Sequence, residues 1–173
     1  LSATFLNVGL GMFAAIGINS IKWRWLKALL RTSYFIPFVI STVVVAMLFG
    51  FLLQESTGVT NYYLTKVGIN RIPWLTSSTW AFRSIVLIDV WKHVGFFMLI
   101  FLAGLQRIPE ELYEAALVDG ASRWVRLTRI TIPLLTPSLF FSLIIALIGA
   151  FQVFESMFVL TQGGPGDATR TVV

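Results

Sequence analysis

The sequence contains no cysteine and a single histidine, His93. The first absence excludes a disulfide framework, a thiolate metal site and a cysteine nucleophile. The second excludes a multi-histidine metal centre. Charge is also scarce: Asp, Glu, Lys and Arg are 12% of the 173 residues, against about 25% in soluble domains. With 57% hydrophobic residues and a mean hydropathy of +0.83, the chain is built for a bilayer as solvent. No G-x-x-x-x-G-K-S/T phosphate loop occurs, so ATP is not bound through that motif. Leu1 lies in an apolar run with no basic leader or small-residue cleavage site before it, and the start is expected to be a cut through a larger protein.

What remains is organised as long apolar runs separated by short polar ones. Residues 1–21 carry no charge and include Gly9, Gly11 and Gly17, which in a membrane helix let a neighbouring helix approach. Lys22, Arg24, Lys27 and Arg31 follow, interleaved with Trp23 and Trp25, as at a cytoplasmic interface. Residues 34–53 are the clearest span, with Pro37 expected in its first turn, where proline is tolerated. Residues 54–83 read as an external loop with a short helix near Asn61 to Val67. Further spans are expected at 84–106 and 134–160, with a polar loop at 107–133 and an external tail at 161–173.

The basic residues set the orientation. Lys22, Arg24, Lys27, Arg31, Arg107, Arg123, Arg126 and Arg129 fall on one side; only Lys66, Arg71, Arg83 and Arg170 fall on the other. The positive-inside rule therefore makes the 107–133 loop cytoplasmic. The net charge of +5 thus reflects membrane topology and does not indicate nucleic acid.

That loop is the most informative stretch. Pro109 suits a first helical position, and Glu110, Glu111 and Glu114 place negative charge against the helix N-terminal end. Gly120 is a natural stop, because it accepts the left-handed conformation that closes many helices. A second helix follows, with Trp124, Leu127 and Ile130 on one stripe and Arg123, Arg126 and Arg129 on another, until Pro133 breaks it. Arginines after a glycine turn could imitate a DNA-reading helix-turn-helix, but the flanking spans argue against it.

Glu114-Ala115-Ala116, three residues, Gly120, nine residues, then Ile130-Thr131-Ile132-Pro133 resembles the EAA loop of ABC importer permeases. The pattern departs from the family's only in Ile132, where leucine is usual. Trp91 to Pro109, and Phe151 through Gly163-Gly164-Pro165-Gly166, are similar to carbohydrate-importer permeases of the maltose and lactose group. The resemblance implies an all-α polytopic membrane helix bundle, here a fragment with about four spans and one cytoplasmic coupling loop, in a bacterial or archaeal cytoplasmic membrane. It implies docking of two ATPase subunits through Glu114, Ala115, Ala116, Asp119, Gly120 and Pro133. It implies a second, different permease chain, an extracytoplasmic solute-binding protein, a sugar substrate and surrounding lipid. No cofactor is bound by this chain; ATP and Mg belong to the partner subunits, and the chain itself is not an enzyme. The substrate pathway is expected to include Trp91, Gly95, Phe96, Phe151, Gln152, Phe154 and Glu155.

Two groups of polar residues stay open. Asp89, Lys92 and His93 can share one helix face. They form either a proton relay, as in an ion- or proton-coupled secondary transporter, or a self-neutralising structural set. If the span runs inward from residue 84, Asp89 lies only about 8 Å down, within snorkelling range. Gln152 and Glu155 either contact substrate or merely line the bundle. A membrane-embedded enzyme is the remaining rival, and no nucleophile–base pair or metal-ligand cluster falls at a common depth to support it.

Overall fold

The computed structural model describes residues 2–151, and it is helical throughout with no strand among them. Helix α5 (Ser78–Leu105) is the axis. Its 28 residues extend about 42 Å at 1.5 Å per residue, enough to cross a bilayer with tilt. Because it is apolar all round, it can be surrounded by other helices. Helix α1 (Ser2–Asn19) packs Val8, Ala15 and Ile18 against Phe97, Met98 and Phe101 of α5. Helix α9 (Thr136–Phe151) adds Leu135, just before it, and Ala146 to the same core. Burying each large apolar side chain contributes about 1.5–3 kcal/mol relative to exposure to water. In a bilayer the alternative is lipid, so close packing matters more than burial itself. Phe5, Phe13, Val39, Met47 and Phe140 are exposed on the outside of the bundle.

Gly95 decides how close α2 (Arg24–Val39) comes to α5. A Cβ there would overlap the Tyr34 carbonyl, so the two backbones meet where only hydrogen fits. Gly11 plays the same part between α1 and α5, 2.7 Å from the Phe97 Cβ for an added methyl. Gly9 and Gly17, read from sequence as sites of close approach, have open space beside them.

The apolar run 34–53 is not one straight span. α2 starts at Arg24 and ends at Val39; α3 (Thr42–Leu52) then leaves at 94°. Pro37 consequently lies near the end of a helix rather than in its first turn. Its ring removes one backbone donor, and Ile40 and Ser41, three and four residues later, take extended conformations. The third span also begins earlier than expected, at Ser78, so part of the supposed external loop is helical. Asp89 is therefore eleven residues into α5, about 16 Å from the start of the helix. Among the described residues α5 alone is long and apolar enough to cross a membrane as one helix. α2–α3 and the chain from Arg123 through α9 meet that test only as bent pairs, the second bent by 59°.

The 54–77 segment is a compact cap built on α4 (Val59–Lys66). Its centre is Asn61, which is 1% exposed. The Asn61 side chain donates to the carbonyls of Glu55 (3.1 Å) and Ile72 (2.9 Å), and accepts from Ile72 N–H (3.1 Å) and the Trp74 indole (3.0 Å). One buried amide thus satisfies backbone groups that no helix or sheet covers.

Candidate functional site

The loop singled out by its spacing folds as two short helices joined at a glycine. α6 (Glu110–Val118) has Glu110 and Glu111 in its first turn, where the helix end favours negative charge. Pro109 is the N-cap, φ −59° and ψ 134°, one position earlier than expected. At the other end Gly120 takes φ +74°. Ala121 N–H donates to Ala116 C=O (2.8 Å) and Gly120 N–H to Leu117 C=O (3.0 Å), the paired bonds of a Schellman closure. Ser122 then caps α7 (Arg123–Arg126), its Oγ accepting from Val125 N–H at 3.3 Å.

Pro133 does not end this second helix. A π-helical segment, Leu127–Thr131, widens the backbone so that Ile132 N–H reaches the Leu127 carbonyl, and α8 (Ile132–Leu134) carries Pro133 in its first turn. The extra residue in the turn accommodates a ring that would clash in regular α-helix. The Tyr113 hydroxyl meets Thr131 Oγ1 at 2.9 Å, tying α6 to this π segment. Tyr113 and Ile130 also pack on the bundle core. α6 is therefore held from one side only: none of its residues is buried, and Leu112, Glu114, Ala115, Leu117, Val118 and Asp119 are exposed. α6 is thus an outward helix with small residues and an acidic side chain, seated on the core by one tyrosine.

A second feature lies in the half of the bundle nearer the start of α5. A cavity of about 280 Å³ opens between α1, α5, α9 and the end of α2. Asn7, Asp89 and His93 supply its polar wall. Asn7 donates through Nδ2 to Asp89 Oδ2 at 2.9 Å, and its buried Oδ1 has no partner among the described residues. His93 Nδ1 lies 2.9 Å from the Asp89 carbonyl and 3.1 Å from Oδ1. Both neighbours are acceptors, so this nitrogen carries the hydrogen. Phe38 and Phe96 stack with centroids 4.7 Å apart, and His93 meets Phe38 edge-on at 6.0 Å. Polar groups beside an aromatic platform suit a ligand with hydroxyls and an apolar ring face.

Asp89, Lys92 and His93 do not work as one set. Lys92, 5% exposed, points toward the α2–α3 break and donates to the carbonyls of Ile40 (2.6 Å) and Phe38 (3.3 Å). Those carbonyls are among the ones the interrupted helix leaves without intrahelical partners, and a cation at a helix C-terminus complements its dipole. Lys92 therefore caps a broken helix. Asp89 and His93 belong with Asn7, a residue sequence reading passed over because it lies 82 positions away.

The residues expected along the substrate pathway divide similarly. Phe96 lines the cavity. Trp91 is not among the lining residues; it packs edge-on against Phe49 of α3 at 5.3 Å. Gly95 is buried in the α2–α5 crossing and not in the cavity wall. Phe151 ends α9, while Gln152, Phe154 and Glu155 lie outside the described residues, as does the tail from 161. Thr4 and Phe38 line the cavity without having been expected there. A deep amide, hydroxyl or aromatic on a different span leaves no local signal.

Comparison with known proteins places this architecture. Residues 7–172 match the family described as binding-protein-dependent transport system inner membrane component. The trehalose/maltose transport system permease protein MalF of Thermococcus litoralis is 40% identical over 99% of this chain and 59% of its own length. The sulfoquinovosyl glycerol transport system permease protein SmoG of Agrobacterium fabrum is 39% identical over 98% of this chain and 53% of its own. A solved structure of a bacterial ABC transporter that imports the acidic polysaccharide alginate superposes with a TM-score of 0.84 at 31% identity, over 98% of this chain and 62% of that one. The chain thus spans a little over half the length of the relatives it matches. On the match over nearly its whole length, together with the helical fold, this chain belongs to the family of binding-protein-dependent transport system inner membrane components.

Proposed function

We propose that the chain is the membrane-spanning permease part of an ATP-driven importer for a saccharide. It would form half of a translocation pathway with a second, related permease. Two cytoplasmic ATPase subunits would dock on residues 109–121, and an extracytoplasmic solute-binding protein would deliver substrate from outside. ATP and Mg would be bound by those ATPases, and this chain would catalyse no covalent step. The observation that carries the reading is the outward α6 with its Schellman turn at Gly120, set at the EAA spacing in a chain of this family. Glu114 is free to pair with a basic partner residue, Ala115 and Ala116 allow close seating, and Asp119 and Gly120 fix the exit. Pro133, in the helix that follows, holds the direction in which a push on α6 is passed toward α9.

The carbohydrate class is supported by the relatives' names, which include trehalose/maltose, lactose and arabinooligosaccharides. Alginate and sulfoquinovosyl glycerol also occur among them, so similarity alone does not separate neutral from acidic saccharides. A solved relative is a complex with an alginate pentasaccharide-bound periplasmic protein, which supports an external binding-protein partner. We place substrate passage at the cavity walled by Asn7, Asp89, His93, Phe38 and Phe96, and assign Phe151, Gln152, Phe154 and Glu155 to the same pathway on the sequence resemblance alone.

Because the sequence has no native cysteine, a single cysteine at Ala116 can be tested for crosslinking to an ATPase subunit in the native membrane. The expected result is a crosslink whose yield differs between nucleotide-free and ATP-trapped states. A cysteine that is accessible from the cytoplasm yet never crosslinks refutes ATPase docking here.

A further inference from the structure

Resting on the reading of that cavity as substrate pathway, we infer that its polar wall selects uncharged saccharides and rejects acidic ones. The charged group that faces the cavity, the Asp89 carboxylate, is an acceptor. Asn7 is 5% exposed and donates one amide hydrogen from Nδ2 to Asp89 Oδ2, and its buried Oδ1 has no donor among the described residues. A buried carbonyl in that condition costs about 1–3 kcal/mol unless something donates to it. Asp89 has both oxygens engaged from the protein side, one by Asn7 and one by His93, yet each carboxylate oxygen can accept a second hydrogen bond. Saccharide hydroxyls are donors of this kind, and the Phe38–Phe96 pair offers a flat apolar surface for the ring's C–H face.

Charge decides the class. Among the described residues that line the cavity, Asp89 is the only one with a fixed charge, and no lysine or arginine lines it. The nearest lysine along the helix, Lys92, is turned away and held by the carbonyls of Ile40 and Phe38. A uronate or sulfonate entering would therefore face a carboxylate within an apolar wall, with no cation to pair with. Like charges at close range in such surroundings repel far more than in water. A hydroxyl at the same place would instead donate to the partly exposed Asp89 carboxylate.

The test uses the full-length permease assembled with its partners in its native membrane. Val86 lines the cavity one helical turn before Asp89, and Val86→Cys is made in a complex whose other cysteines, if any lie outside these residues, have been replaced by serine. Its reaction rates with an anionic sulfonatoethyl and a cationic trimethylammonioethyl methanethiosulfonate are measured, each divided by the rate with a free thiol. The expected preference is at least about ten-fold for the cation. Asp89→Asn should bring it to within about two-fold, and Asp89→Glu should keep it. Equal rates, or preference for the anion, in the Val86→Cys protein overturn charge selection, and this measurement does not require the Asp89 variants to fold. Protection of the same thiol is then measured with trehalose, maltose, lactose and arabinotriose, and with trigalacturonate. Protection by at least one neutral sugar and none by trigalacturonate supports the inference; protection by trigalacturonate overturns it. A cationic preference with no protection by any saccharide instead refutes the cavity as substrate pathway, which separates the two failures.

Discussion

Replacing Lys92 with methionine distinguishes a helix cap from a proton relay, because the two roles lose different things. In the structure its ammonium donates to Ile40 C=O at 2.6 Å and Phe38 C=O at 3.3 Å, from a side chain that is 5% exposed. Hydrogen bonds to a charged group contribute about 1.5–3 kcal/mol each, and a buried carbonyl left without a donor costs about 1–3 kcal/mol. The shorter bond lies at the strong end and the longer at the weak end. Against this loss stands the relief of no longer burying an ammonium, which is itself several kcal/mol. Methionine fills the aliphatic path of the lysine stem beside Val45, Ala46 and Ile88, so no cavity is added. The net expectation is a loss of about 2–4 kcal/mol. At roughly 2–4 °C per kcal/mol for a chain of this size, the apparent melting temperature of the detergent-purified complex falls by about 5–15 °C. Unfolding followed through the tryptophans, at a fixed heating rate, reads this directly. An unchanged melting temperature with abolished uptake, where uptake by the unsubstituted protein is protonophore-sensitive, would falsify the capping role and restore the relay.

Other substitutions test the remaining joints. Asn61→Ala removes four hydrogen bonds at one buried site and should cost at least about 3 kcal/mol, seen as early proteolysis of the 54–77 cap. Gly95→Ala forces a methyl into the Tyr34 carbonyl and should sharply reduce the yield of folded protein, while Gly149→Ala, with open space beside it, should leave yield unchanged. Gly120→Ala meets no neighbouring atom but must hold φ +74°, a strain of about 1–2 kcal/mol confined to the α6–α7 turn. It should lower uptake more than melting temperature, and Glu114→Lys should do the same through charge; normal uptake in both removes coupling from this loop. Tyr113→Phe loses the 2.9 Å bond to Thr131, about 1 kcal/mol, and should reduce the nucleotide sensitivity of the Ala116 crosslink without lowering its total yield.

Local chemistry was enough to read much of this chain from its residues. Scarce charge and long apolar runs specify a membrane helix bundle, since only helices and closed barrels satisfy their backbones in lipid. The distribution of Lys and Arg gives an expected orientation. Glu110, Glu111 and Gly120 mark the ends of α6 because caps and helix-end charge act within one turn. Those signals depend on neighbours in sequence, and the spacing from Glu114 to Pro133 is itself a sequence property.

What the tertiary structure alone decided concerns groups brought together from separate spans. Pro37 suggested a tolerated first turn, but the 94° break at Ile40–Ser41 persists because Lys92, 52 positions away from Ile40, caps the freed carbonyls. Pro133 should have ended a helix, and a π segment tethered by Tyr113 carries the chain through it. Asp89, Lys92 and His93 look equivalent on a helical wheel. Their partners separate them: Asn7 draws Asp89 and His93 to the cavity, and the broken helix draws Lys92 the other way. Residue types state which groups need satisfying; only packing in three dimensions states which distant atom does it.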